Sequence, residues 1–190
     1  MRSVAAQLGV HPSALNYHVA SREDLIDAMA TALLEDALDP AWMPAAGAGW
    51  QEWVRAFAIE LRRILLENRP LTLCFRFRPG PEAGGLDQYD RFLGRLYEAG
   101  FDQTEAPLAA HCVAQVVFMS VRDQVLAEQS GGHLQDAELL RKLEEVSAER
   151  LPNVRRLLAG GGHANPEAQF AFNLDCLVAG LEAKLDKLAG

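Results

Sequence analysis

The sequence predicts an all-α protein, in which two short helices and a turn precede a larger helical bundle. Leu and Ala dominate the composition while Val, Ile and Thr are sparse, and unbranched side chains lose little rotamer freedom in helices. Apolar residues recur three and four positions apart in several long segments, as on one face of a helix. Residues 39–49 hold two prolines and two glycines, a composition typical of a boundary between units.

Composition and charge bound the class of protein. With 190 residues, 49% hydrophobic and 23% charged, the chain is an ordinary globular one. The net charge of −8 opposes non-specific binding of nucleic acid by the whole surface. Residues 1–22 nevertheless contain Arg2 and Arg22 and no Asp or Glu, so the N-terminal end carries a local charge of +2.

Cysteine usage and hydropathy indicate the compartment. The cysteines Cys74, Cys112 and Cys176 are far apart and odd in number, which favours a reducing cytoplasm over a disulfide framework. The first residues have no apolar core of a signal peptide. No run approaches the roughly 20 apolar residues of a membrane helix, so we expect a cytoplasmic protein that is not bound to a membrane.

The N-terminal segment is predicted to form two short helices. Residues 3–8 form the first, and Gly9 ends it because glycine tolerates the left-handed conformation of a helix end. The apolar residues on its inner face are Val4, Ala5 and Leu8. The second helix begins near Pro12, with Leu15 and Val19 pointing inward at i and i+4.

A third helix is predicted from Ser21 to about Leu38. Ser21 is its N-cap, because Asp24 completes an S-x-x-D pattern. Beyond the boundary segment, the predicted helices are 50–68, 86–99, 105–129, a segment over 134–159 with a break near Pro152, and a last helix whose N-cap and first residue are Asn165 and Pro166. Residues 71–77 fit helix or strand, and the context favours a short helix.

Two short helices joined by a glycine turn are the pattern of the helix-turn-helix, whose second helix enters the major groove of DNA. The stretch MRSVAAQLGVHPSALNYHVASREDLIDAM, residues 1–29, closely resembles the DNA-binding segment of the tetracycline-repressor family. The last helix, in its part 172–185, resembles that family's dimerisation helix more weakly. The resemblance also implies a further helix and a polar arm ahead of Met1, and we expect the present sequence to lack that segment.

The resemblance assigns a set of DNA-binding residues. Those that map onto the family's reading helix are His11, Pro12, Ser13, Ala14, Asn16, Tyr17 and His18. Polar side chains there would contact base edges and Ala14 a thymine methyl, whereas Arg2, Tyr17 and Arg22 would hold phosphates. The family commonly has Tyr at the position of Asn16 and Lys at that of Arg22; the first change puts a usual phosphate contact in doubt, and the second keeps the charge.

The helix 105–129 is apolar almost all round, so we expect it to be buried on more than one side. His111, Gln115, Phe118 and Arg122 share one face of it. They fit the polar edge of a ligand pocket, or equally a dimer interface or a buried network. The residues predicted to contact a ligand are Phe57, Leu61, His111, Gln115, Phe118, Met119 and Arg122. The stripe that includes Phe57 and Leu61 also fits a plain core.

An apolar stripe on the last helix predicts a homodimer, although it also fits core packing. Its members, spaced four and three residues apart, are Phe170, Leu174, Leu177, Leu181 and Leu185.

Together these features predict a DNA-binding unit at 1–42 and a ligand-binding and dimerisation unit at 48–190. The expected function is a transcriptional regulator, a repressor on the resemblance, which binds palindromic double-stranded operator DNA as a homodimer and is released by a small-molecule effector. The alternative is a helical ligand-binding or dimerisation protein that does not bind DNA. An enzyme is not indicated, since the sequence shows no nucleophile motif, phosphate loop, cofactor motif or metal-ligand spacing.

Overall fold

The computed structural model describes residues 1–37, 44–45, 47–72, 83–129, 141–143, 146, 150–159 and 165–189, and over these residues it is all-helical. The helices are α1 Arg2–Gln7, α2 Pro12–His18, α3 Arg22–Ala37, α4 Trp50–Glu67, α5 Arg69–Thr72, α6 Ala83–Ala99, α7 Glu105–Gln129, α8 Pro152–Ala159 and α9 Pro166–Ala189. The predicted all-α class is confirmed.

The predicted helix boundaries hold closely where the residues are described. α4 begins at Trp50, α7 spans the predicted 105–129, and α8 begins at Pro152, where the break was expected. α6 begins at Ala83, three residues before its predicted start at 86. Most of the ambiguous segment 71–77, and Leu38, lie outside the described residues.

The predicted caps explain several of these starts. The Ser21 Oγ accepts a hydrogen bond from the Asp24 N–H at 3.0 Å, and the Asn165 Oδ1 accepts one from the Ala168 N–H at 2.7 Å. Each oxygen satisfies a backbone donor that the first turn of a helix leaves unpaired.

One hydrophobic core joins α4, α6, α7 and α9. α7 lies at its centre and packs against α4, α6 and α9. Its buried side is lined with small residues, among them Ala109, Val113 and Val117, each at most 2% exposed, which lets the neighbouring helices approach it closely. α3 packs against α4, α5 and α6, so the N-terminal helices join the bundle through α3.

Candidate functional site

The helix α2 is held at a fixed angle by its turn and by one buried side chain. Gly9 has a φ of +68°, a left-handed conformation that only glycine adopts readily. The Val10 N–H then donates to the Ala5 carbonyl at 3.0 Å. Leu15, 9% exposed, anchors α2 from inside, and Ala5 of α1 is fully buried. The helix-turn-helix geometry predicted for this segment is therefore present.

His11 has a role that the sequence did not reveal. It is the N-cap of α2, with extended backbone, and its Nδ1 accepts a hydrogen bond from the Ser13 N–H at 3.3 Å. The same Nδ1 lies 2.7 Å from the Ser13 Oγ. Pro12 follows as the first helical residue, where its missing N–H costs nothing. A histidine is an uncommon cap, so only the structure could show this.

The side chains predicted to contact DNA lie on the surface. Pro12 is half-buried, and the exposed members are Arg2, His11, Ser13, Ala14, Asn16, Tyr17, His18 and Arg22. Tyr17 is 86% exposed, and its ring meets that of His18 edge to face at 5.3 Å. The structure thus presents one polar surface free of carboxylates along α2, with an arginine at each end of the segment.

One expectation for this unit is wrong. Leu8, predicted to point inward, is 62% exposed, and Val10 is 43% exposed. The physical reason is that α1 ends at Gln7, so Leu8 lies in the turn as its C-cap. Among residues 1–29 only Ala5 and Leu15 are buried.

The interior of the bundle contains an aromatic cluster between α4 and α6. The Trp53 and Phe57 rings stack with centroids 5.7 Å apart. Phe92 meets both edge to face, at 5.0 Å from Trp53 and 4.8 Å from Phe57. Phe57 remains half-buried, whereas Trp53 and Phe92 are buried. An apolar, aromatic wall of this kind suits a flat ligand.

The predicted ligand-binding residues do not come together. Leu61 is buried and Phe57 and Phe118 are half-buried at the core, as expected. The others, His111, Gln115, Met119 and Arg122, are exposed. They lie on the side of α7 opposite to Val113 and Val117, because the small residues of α7 face the bundle. Within the subunit, these four residues therefore do not line an interior pocket.

Arg62 is a buried charge that sequence reasoning missed. It is 8% exposed; its Nε donates to the Ser120 Oγ at 3.3 Å and its Nη2 to the Gln124 Oε1 at 2.6 Å. Its guanidinium carbon lies 4.9 Å from the Phe170 ring centroid, and Glu167 of α9 is 3.7 Å away. One side chain thus ties α4 to α7 and α9. The sequence offered no signal, because arginines on amphipathic helices are usually solvated.

A groove of about 450 Å³ opens near the end of α7, lined by Arg69, Pro70, Val125, Glu128 and Gln129. Arg69 pairs with Glu128 across it. The Gln124 Nε2 also donates to Glu128 at 3.2 Å. Since Gln124 in turn contacts Arg62, polar contacts run from this groove to the buried junction of three helices.

The stripe predicted for dimerisation belongs to the subunit's own core. Phe170, Leu174 and Leu181 are 6%, 3% and 7% exposed, and Leu177 and Leu185 pack against the same cluster. A surface already covered by α4 and α7 cannot be the main contact with a second subunit, so this assignment is corrected. The exposed apolar residues lie elsewhere on α7 and α9 and include Leu108, Met119, Leu126 and Phe172, at 61%, 51%, 41% and 64%.

Neither a metal site nor a membrane span is found in the described ranges. No group of three or more His, Cys, Asp or Glu there could hold an ion, and no helix there is long and apolar enough to cross a bilayer.

A reading helix on a capped turn, joined through α3 to a helical bundle, defines the architecture of a helical DNA-binding regulator. The family model described as "Tetracyclin repressor-like, C-terminal domain" matches residues 43–185. The chain belongs to this tetracycline-repressor family, whose members are regulators and not enzymes.

Individual relatives cover nearly all of the chain. Tetracycline repressor protein class C of Escherichia coli is 27% identical over 183 residues, which are 95% of this chain and 80% of the relative. A solved structure of a possible TetR family transcriptional regulator from Streptomyces coelicolor A3(2) is 29% identical, has a TM-score of 0.76 and aligns over 96% of this chain and 88% of its own. The structure of Streptomyces coelicolor ActR in complex with actinorhodin, 21% identical, shares the fold with a TM-score of 0.81 over 97% and 87% of the two chains.

Proposed function

We propose that this protein is a homodimeric repressor that binds a palindromic operator through α2 and is released by a small-molecule effector. In this proposal residues 1–42 read DNA, and residues 48–190 bind the effector and dimerise. The observation that carries the proposal is the surface of α2, where exposed polar side chains stand on a helix fixed by Gly9 and Leu15. A reading helix needs this rigidity, because base-edge hydrogen bonds depend on a fixed position in the groove.

The exposed residues divide into two classes by chemistry. Asn16 can donate to and accept from a base edge, whereas Arg2 and Arg22 provide charge for phosphates. Glu23 and Asp24 of α3 lie in its first turn, where they complement the helix dipole and also carry negative charge next to Arg22. Binding should therefore depend on a few phosphate contacts and fall steeply with salt.

DNA binding is tested by selection from a random duplex library with the purified full chain, followed by salt titrations of the selected duplex. Arg22→Ala should weaken binding to all sequences and reduce the log–log salt slope by about 0.9. Asn16→Ala should keep that slope and relax preference at one position of each half-site, by about 1–3 kcal/mol. Leu15→Asp, which places a charge in the buried anchor site, is the control that should abolish binding.

We infer that the effector is a flat molecule with fused rings and a few hydrogen-bonding groups. The support is the aromatic cluster of Trp53, Phe57 and Phe92, in which the half-buried Phe57 can give way to or stack on such a ligand. Two proteins of this fold were solved with compounds of this class, ActR with actinorhodin and a TetR from Acinetobacter baumannii with minocycline. The effector need only bind one arrangement of the helices better than the other to release DNA.

Actinorhodin and minocycline are the probes for the effector class. Ligand present at a hundredfold excess over its Kd stabilises the native state by about 2.7 kcal/mol, which a thermal shift detects. Phe57→Ala should reduce the shift, and Ile59→Ala, two residues along α4 and 57% exposed, is the matched control. A shift equal in wild type and Phe57→Ala would place the ligand elsewhere.

The proposed dimer uses the outward faces of α7 and α9, which we call the outer stripes. On α7 the outer stripe comprises Leu108, Cys112, Gln115, Met119 and Leu126, and on α9 Ala168, Phe172, Cys176, Ala179 and Ala183, all exposed in the single subunit. The members are mostly apolar and recur at spacings of three, four or seven residues, as two adjacent helices need to form a four-helix contact with a second copy. A dimer also brings two reading helices to half-sites about 34 Å apart.

Light scattering tests this interface. Phe172→Glu should convert the dimer to monomer, because an unpaired charge would then be covered by the partner. Ile59→Glu, on the exposed side of α4, adds the same charge outside the outer stripes and should leave the dimer intact. An unchanged Phe172→Glu dimer would place the interface on another surface.

A second function is favoured by one observation, the net charge of −8 together with exposed Leu8 and Val10 on the DNA-reading unit. This is a ligand-binding helical protein that does not bind DNA. If the full chain selects no duplex even at low salt, while a ligand still raises its melting temperature, this second function replaces the first.

A further inference from the structure

The two cysteines that the structure describes both lie on the outer stripes. Cys112 of α7 and Cys176 of α9 are free and exposed. Cys112 comes four residues after Leu108, and Cys176 comes four residues after Phe172 and three before Ala179, so each shares the face of its apolar neighbours. This face is the one that we propose to meet a second copy of the chain.

Both thiols lie at the same level of the bundle. α7 and α9 run antiparallel, because Lys184 Nζ lies 3.4 Å from Glu105 Oε1 at one end. Towards the other end Arg62 donates to Ser120 and lies over the Phe170 ring. Residue 105 is thus level with residue 184, and residue 120 with residue 170, which makes Cys112 level with residue 177. Cys176 is one residue away, an axial offset of about 1.5 Å.

Symmetry selects Cys176 as the residue that meets its own copy. A two-fold contact pairs a patch with itself, so residues at the centre of the patch lie nearest the axis. Cys176 stands midway along the α9 outer stripe from Ala168 to Ala183 and midway along α9 itself. Its neighbours Ala179 and Gly180 are small and exposed, and a Cβ added at Gly180 would meet no atom within 4 Å, so the backbone there is open to close approach.

The distances between packed helices suit a disulfide at such a crossing. Helix axes pack about 8–10 Å apart, and each Cα lies about 2.3 Å from its axis. Two residues that face each other across the crossing therefore have Cα atoms about 4–5 Å apart. A disulfide spans about 4.4–6.8 Å between Cα atoms.

We propose that Cys176 lies at the two-fold axis of the dimer and forms a disulfide with Cys176 of the partner subunit when a peroxide is present. Hydrogen peroxide oxidises one thiolate to a sulfenic acid and releases water. The second thiol then displaces the hydroxyl as a second water and forms the S–S bond, so that two thiols lose two electrons and two protons in all. The product is a dimer that dilution cannot dissociate. This proposal rests on the homodimer proposed above.

The test compares the full chain with two matched variants, Cys176→Ser and Cys112→Ser, each treated with hydrogen peroxide, quenched with N-ethylmaleimide and run on a non-reducing gel. Light scattering of the reduced proteins is measured in parallel. We expect wild type and Cys112→Ser to run as dimers that dithiothreitol reverses. The cross-linked fraction of Cys176→Ser should be at least tenfold lower, while its reduced form remains a dimer.

The outcomes separate the two proposals. A reduced dimer that does not cross-link, or a cross-link that persists in Cys176→Ser through Cys112 or Cys74, overturns the disulfide and leaves the homodimer standing. Loss of the cross-link in both serine variants also overturns it, since a bond between Cys112 and Cys176 would then be the correct one. Monomer in every reduced protein overturns the homodimer and the disulfide with it.

Discussion

Replacing the buried arginine of α4 should give an order of stabilities opposite to that of charge conservation. The guanidinium of Arg62 is surrounded by neutral acceptors, with Glu167 at 3.7 Å and 65% exposed as its charged partner. An exposed partner contributes little, at most about 1 kcal/mol. The stabilising contacts are therefore two hydrogen bonds, at 3.3 Å to Ser120 and 2.6 Å to Gln124, and the contact with Phe170.

Those contacts are opposed by the cost of burying the charge. Hydrogen bonds from a charged donor contribute about 1.5–3 kcal/mol each, and the contact of the cation with the ring about 0.5–2 kcal/mol. Removing the guanidinium from water costs several kcal/mol, so the charged head is close to neutral overall. Arg62→Met keeps the apolar stem and frees Gln124 for Glu128, and should therefore cost no more than about 1 kcal/mol.

Two further variants complete the series. Arg62→Ala removes the stem from a core position as well, and should cost about 3 kcal/mol through the cavity left behind. Arg62→Lys keeps a buried charge whose single nitrogen cannot serve two diverging acceptors, so it should be less stable than Arg62→Met. Urea unfolding at one fixed protein concentration measures all four proteins. If Arg62→Met loses as much stability as Arg62→Ala, or Arg62→Lys is the most stable variant, the charge balance argued here is wrong.

Three further predictions concern α1, α2 and α4. His11→Ala removes the cap of α2 as well as a base contact, so it should lower affinity for all duplexes in a binding titration, by about 1 kcal/mol, whereas Ser13→Ala keeps the Nδ1 acceptor and should not. Gly9→Ala should destabilise the turn by about 1 kcal/mol in thermal unfolding, because of its φ of +68° and not for lack of space. A hydrogen bond from Arg63 holds the pKa of Glu60 below its ordinary value, against the opposing effect of burial. This contribution is present above the pKa of unfolded Glu, near 4.3, and is lost as pH falls through the lowered pKa; Glu60→Gln should unfold with a shallower acid dependence.

Much of the fold was predictable because helix starts and stops are local chemistry. Ser21, Asn165 and Pro152 mark helix starts through groups within three residues of themselves, and Gly9 marks a turn through its own backbone freedom. The exposed reading surface of α2 was predictable for a similar reason. It needs a short helix with one buried anchor, Leu15, and polar residues at the remaining positions.

The candidate ligand and dimer residues were less predictable, because periodicity gives the faces of a helix but not their neighbours. α7 is apolar on most sides, so the sequence could not show that Val113 and Val117 face the bundle and His111 and Gln115 face outward. The leucine stripe of α9 fits core packing or self-association equally well by spacing.

The sequence by itself determined the helices, their caps, the turn at Gly9 and the chemistry of the α2 surface, since these depend on residues within one or two turns of each other. Tertiary structure alone decided that Phe170 and Leu174 fill the core, that Phe172 and Cys176 lie outside, and that Arg62 is buried. The physical reason is that burial depends on which helix packs against which. That choice follows from the fit of small residues on α7 to α4 and α9, a contact between segments more than 40 residues apart along the chain.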